Sequence, residues 1–107
     1  MKETILLVDD EQGIRTVMGL SLRDAGYNVI TVASGEEALQ LFAERPIPIV
    51  ITDIRMPGMN GLDAAREILT KDPAARILFL TTFSDQAYIE QAMRLGTKGY
   101  LIKQDVA

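Results

Sequence analysis

The 107-residue sequence contains no cysteine, no histidine and no tryptophan. Without cysteine it has no disulfide framework, no thiolate nucleophile and no zinc knuckle. Without histidine it has no imidazole ligand, base or nucleophile. Any metal must therefore be held by oxygen, which favours hard cations such as magnesium, calcium or manganese. Long apolar runs are missing too: residues 5–8 and 77–80 fall far short of the roughly 20 residues that cross a bilayer. Met1-Lys2-Glu3 is no secretory signal, so a soluble cytoplasmic chain without membrane contact is expected. Positive charge is scarce as well. With 11 basic against 15 acidic side chains the net charge is -4, which disfavours direct binding of nucleic acid.

What is present suits one folded domain spanning residues 1–107. An apolar fraction of 48% with 24% charged residues can supply a core. Thr4–Val8 reads as a buried strand ended abruptly by Asp9-Asp10-Glu11. Ile14, Val17, Met18, Leu22 and Ala25 then share a helical stripe that stops at Gly26, with Leu20 well off it. Residues 27–32 form a second strand. A capping-box pair, Ser34 and Glu37, opens the next helix ahead of Ala38, Leu41 and Phe42. After Pro46 and Pro48, residues 49–52 make a third strand ended by Asp53, and residues 54–61 are a loop rich in breakers.

Leu62, Ala65, Ile68 and Leu69 mark a third helix, stopped before Asp72-Pro73 because a residue preceding proline avoids helical backbone angles. Residues 77–80 form a fourth strand. Ser84 and Asp85 open a helix carrying Ile89, Ala92 and Met93 and closed by Leu95-Gly96, and Gly99–Ile102 is a fifth strand. Strands alternating with helices every twenty-odd residues describe a mostly parallel sheet covered on both faces. Only residues 104–107 follow the last strand, so the fifth helix that right-handed winding calls for is expected to be missing, with Leu20 in the surface it would cover.

Ligands of open parallel sheets bind outside the carboxyl ends of the strands. The residues there are Asp9 and Asp10 after the first strand, Asp53 after the third, Thr81 after the fourth and Lys103 after the fifth. Two like charges at about 4 Å repel by roughly 4 kcal/mol at an effective dielectric of 20, so something positive must sit among the three acids. Magnesium with Lys103 meets that need. The available nucleophile is then a carboxylate, and Asp53 is the best placed to take up a phosphoryl group as an acyl phosphate.

Each residue also has a plainer reading. Asp9 or Asp10 can cap a helix, Asp53 can begin the turn into Met56-Pro57-Gly58, Thr81 suits any strand, Lys103 any surface, and Met56 and Met59 fill gaps. Their joint position at one sheet edge favours the chemical reading. A metabolic aspartate-dependent phosphatase would pair its nucleophile with a second Asp two residues on, where Arg55 stands. A flavin or nucleotide site needs a glycine- or hydroxyl-rich phosphate cradle, where Asp9-Asp10-Glu11 would repel phosphate. A structural domain that is never phosphorylated is the remaining alternative.

Four motifs, residues 6–11, residues 51–61, Leu80-Thr81 and residues 99–103, together resemble the receiver domains of two-component response regulators, including the chemotaxis regulators. The resemblance spans nearly the whole chain. It implies a flavodoxin-like sheet of strand order 2-1-3-4-5 with helices on both faces, cut before or within the fifth helix. It implies that Asp53 is phosphorylated by a sensor histidine kinase or phosphotransfer protein, so that the histidine belongs to the partner. Asp9, Asp10, Asp53 and the carbonyl of Arg55 would hold Mg2+, Lys103 would pair with the acceptor, and Thr81 and Tyr100 would switch the surface.

The same resemblance implies a switch rather than a metabolic enzyme. Residues 81–83 and 101–104 resemble receivers fused to helix-turn-helix DNA-binding output domains, and homodimerisation is open because family dimers often use the fourth and fifth helices. Two departures stand out: Thr82-Phe83 crowds the entrance, and Gln104 replaces a common proline after Lys103. A trans Lys103–Gln104 bond is expected, since cis costs about 3 kcal/mol before a non-proline residue.

Overall fold

Residues 2–82 and 86–103 are described by the computed structural model. Thr4–Val8 is β1, and its side chains alternate between two cores: Leu6 and Val8 enter one, Ile5 and Leu7 the other. Burial on both faces is why the strand reads as an unbroken apolar run. The chain continues as α1 (Gln12–Asp24), β2 (Asn28–Val32), α2 (Gly35–Glu44), β3 (Ile49–Asp53), α3 (Gly61–Lys71), β4 (Arg76–Thr81), α4 (Gln86–Arg94) and β5 (Gly99–Ile102). All four strand pairings are parallel, in the order β2-β1-β3-β4-β5, which is the expected flavodoxin-like sheet. β5 is the last element among the described residues.

The larger core lies where α2, α3 and α4 pack on one face, around Leu6, Val50, Ile54, Leu62, Ile77 and Phe79. The smaller, under α1, joins Ile5, Leu7, Met18, Ile51 and Leu80. Each such side chain contributes about 1.5–3 kcal/mol of transfer free energy on burial. Local signals set the ends. The Ser34 hydroxyl accepts the Glu37 N–H at 3.2 Å at the start of α2, and the Asn60 side chain accepts the Asp63 N–H at 2.9 Å at the start of α3. After α1 and α4 the chain turns through Gly26 and Gly96, at φ 102° and 81°, where other residues would be strained.

The stripe on α1 is narrower than its sequence pattern. Met18 is buried and Ile14 and Leu22 half-buried, whereas Val17 is 47% exposed and Ala25 is also exposed. Positions 14, 18 and 22 recur every four residues and face the sheet, which leaves Val17 on the flank with Leu20, itself 58% exposed. Leu101, in register with Leu80, is also exposed. The helix start at Ser84 and Asp85, Phe83, and the Lys103–Gln104 bond lie outside the described residues.

Candidate functional site

Register brings the acids together. Val8 pairs with Thr52, which carries Asp9 and Asp53 to the same level at the ends of adjacent central strands. Asp53 in turn pairs with Leu80, so Thr81 projects one residue beyond it on β4. Carboxylate oxygens of Asp9, Asp10 and Asp53 lie within 4.8 Å of one another. Asp9 is 0% and Asp53 4% exposed, while Asp10 is exposed.

Lys103, in the turn beyond β5, closes the group. Its Nζ lies 2.9 Å from Asp53 Oδ2, 3.2 Å from Asp9 Oδ2 and 2.9 Å from Glu11 Oε1. A cleft of about 260 Å³ opens over this edge, lined by Asp10, Glu11, Asp53, Arg55, Thr82 and Lys103. Thr81 is fully buried beside it, and its hydroxyl donates to the Thr82 carbonyl at 3.3 Å. Tyr100 is 43% exposed. Arg55 carries its guanidinium over the Tyr88 ring of α4, 5.8 Å from the centroid.

The loop between β3 and α3 closes tightly against this edge. The Gly61 N–H donates to the Ile54 carbonyl at 2.7 Å, and a Cβ at Gly61 would lie 2.0 Å from the Asp53 carbonyl oxygen. Only glycine permits that approach, and it fixes the backbone of the residue that carries the central carboxylate. On the other side, Arg15 donates to the Asp9 carbonyl at 2.7 Å and braces the turn into α1.

The plainer reading of Asp9 holds for one of its oxygens. Oδ1 accepts the Glu11 N–H at 2.9 Å, as in a turn leading into a helix. Oδ2 is buried without any hydrogen bond and has the ammonium of Lys103 as its counter-charge. A buried carboxylate oxygen left in that condition is costly and fits a cation ligand. The three-acid, all-oxygen donor set is of the kind that holds Mg2+.

Burial raises the pKa of Asp53 to about 6; the Lys103 hydrogen bond opposes this, and the charges of Asp9 and Asp10 add to it. Burial also raises Asp9, against the Glu11 N–H and Lys103. Burial works against the Lys103 ammonium, yet Glu11, Asp53 and Asp9 together hold its pKa above the ordinary lysine value. At neutral pH the edge therefore combines an ionised but poorly solvated carboxylate with a fixed positive charge.

Comparison with known proteins bears on this arrangement directly. Residues 5–106 match the family model of the response regulator receiver domain. The chain belongs to that family. The receiver domain is 36% identical to the chemotaxis protein CheY of Thermotoga maritima over 96% of this chain and 87% of that protein. It is 40% identical to a probable transcriptional regulator, ycf27, of Guillardia theta over 95% of this chain, of which it spans only 40%.

Among solved structures, a receiver domain from Clostridium thermocellum superposes with a TM-score of 0.89 at 36% identity, covering 94% of this chain and 82% of that one. The response regulator TrrA of Thermotoga maritima, solved in complex with Mg2+-BeF, superposes at 0.84 with 37% identity, covering 94% and 85%. Receiver domains are signalling switches rather than metabolic enzymes, and response regulators partner with histidine kinases. No helix among the described residues is long and apolar enough to cross a membrane.

Sequence reasoning brought Asp9, Asp10, Asp53 and Lys103 to one edge, and there they are together. It passed over Glu11. Nothing local marks it: Glu11 stands just before α1 without capping it, and its partner Lys103 lies 92 residues on in the chain.

Proposed function

We propose that Asp53 is the phosphoacceptor of this receiver domain and takes its phosphoryl group from a sensor histidine kinase or a phosphotransfer protein. The observation that carries this reading is the buried Asp53 carboxylate, 2.9 Å from the Lys103 ammonium and clustered with Asp9 and Asp10 at the mouth of a cleft. One Asp53 oxygen attacks phosphorus as the phosphorus–nitrogen bond of the donor phosphohistidine breaks. The electron pair of that bond stays on the imidazole, which takes up a proton, and Asp53 becomes an acyl phosphate. With a pKa of about 6 the carboxylate is mostly ionised at pH 7 and ready to attack.

Asp9, Asp10, Asp53 and the Arg55 carbonyl would hold Mg2+, which when bound supplies positive charge against the phosphoryl oxygens. Lys103 holds its ammonium beside the acceptor before the cation enters and pairs with the phosphoryl group once it has been transferred. Thr81, buried one residue beyond Asp53 on the neighbouring strand, is positioned to bring its hydroxyl onto a phosphoryl oxygen, and the exposed Tyr100 turns inward behind it. The new charge-assisted hydrogen bonds bias a two-state surface read by a partner or by a DNA-binding output domain, a reading supported by relatives that are transcriptional regulators.

Incubation with acetyl phosphate and Mg2+ should add one phosphoryl mass to the intact protein, and Asp53→Asn should add none. A folded sample that gains no mass with Mg2+ present would leave an interaction domain that is never phosphorylated.

A further inference from the structure

Glu11 occupies the N-cap position of α1 and its carbonyl accepts the Arg15 N–H, but its side chain does not cap the helix. Its backbone N–H is taken by Asp9, and its side chain makes no capping bond but extends across the cleft to Lys103 Nζ at 2.9 Å. α2 and α3, by contrast, are capped by Ser34 and Asn60. Glu11 also stands outside the cluster of Asp9, Asp10 and Asp53 whose oxygens converge. Lys103 therefore has two kinds of partner: two buried acids in the cluster, and one exposed acid beside it.

These partners are not equivalent once the cluster holds a divalent cation. The ammonium is 2.9 Å and 3.2 Å from oxygens of Asp53 and Asp9, so it competes for the same carboxylates and is repelled by a second positive charge there. We propose that Glu11 holds the Lys103 ammonium at the rim of the site while Asp9, Asp10 and Asp53 take up a divalent cation, so that the lysine remains at hand for the phosphoryl group. This rests on the reading of the cluster given above. Glu11 is a positioning residue that acts through Lys103 and needs no contact with the metal. Without it, a displaced ammonium would lose its remaining carboxylate, and cation uptake would be less favourable.

The test is a magnesium titration by calorimetry of the parent protein, Glu11→Gln, Lys103→Met and the double variant. Glu11→Gln should weaken Mg2+ binding about fivefold in the parent background and less than about twofold where Lys103 is already Met. An equal factor in both backgrounds means that Glu11 acts only as a nearby negative charge and overturns the proposal, as does no change in the parent. Absence of saturable Mg2+ binding in the parent overturns the reading of the cluster as well, which separates the two failures.

Acylation of lysines by an amine-reactive ester, mapped by peptide mass, supplies a readout independent of Lys103→Met. Adding Mg2+ should raise Lys103 labelling several-fold in Glu11→Gln and little in the parent. The same response in both proteins overturns the proposal.

Discussion

The two ends of the central sheet carry ion pairs of the same chemistry in opposite settings. At the amino ends of the strands, Arg76 pairs with Glu3, side chains that are 46% and 49% exposed. At the carboxyl ends, Lys103 pairs with Asp9 and Asp53, at 12%, 0% and 6%. Water can solvate the first pair whether or not it forms, so it contributes little. The second has given up its hydration, and its parts depend on one another. The comparison teaches that, among the described residues, charge retained at the cost of burial is confined to the edge proposed as the functional site.

The largest effect that would test this contrast is expected from Gly61→Ala. The added carbon meets the Asp53 carbonyl oxygen, a backbone atom that cannot yield, so urea unfolding should register a loss of about 3 kcal/mol or more. Unchanged stability would mean that the loop under the site has slack. Next is Lys103→Met in chelating buffer, which leaves buried carboxylates without their counter-charge; a loss of about 2–4 kcal/mol at pH 7 is expected. Added Mg2+ should restore much of that loss.

Asp53→Asn should act in the opposite direction. A carboxyl group whose pKa is higher in the folded chain than in the unfolded chain destabilises the fold once it ionises. For Asp53 that penalty is absent below about pH 4, grows between the unfolded value near 3.8 and the folded value of about 6, and reaches about 3 kcal/mol above it. The parent should therefore lose stability across that window as pH rises. Asp53→Asn should lack this part of the slope and be about 1–2 kcal/mol more stable at pH 7 without Mg2+, because its amide still offers Lys103 an acceptor. A variant less stable than the parent at pH 7 would contradict the burial penalty.

The smallest effect belongs to the exposed end. Arg76→Gln should change stability by less than about 1 kcal/mol and lose even that in high salt.

The strands and helices were legible because their signals are local. The apolar run of β1, the Ser34–Glu37 cap and the Asp72-Pro73 stop each depend on neighbours a few residues away, and these three features lie where their residues indicate. The width of the α1 stripe was less legible. Val17 has the right spacing for a core position, but the face a helix buries depends on how it is set down on the sheet, and α1 presents positions 14, 18 and 22. Glu11 escaped for a related reason: its partner Lys103 is 92 residues away in the chain.

The sequence by itself determined the chemistry available here. Lacking cysteine and histidine, it left oxygen as the donor for any metal, and its periodic apolar runs dictated a parallel sheet with acids at the strand ends. The tertiary structure decided which acids lose their water. The register between β1 and β3, the order that makes both central, and the reach of Lys103 from beyond β5 put Asp9 and Asp53 in a poorly solvated pocket while Asp10 and Glu11 stay exposed. Charge and spacing are properties of the chain, but desolvation is a property of the packed neighbours, and it is desolvation that sets these carboxylates apart.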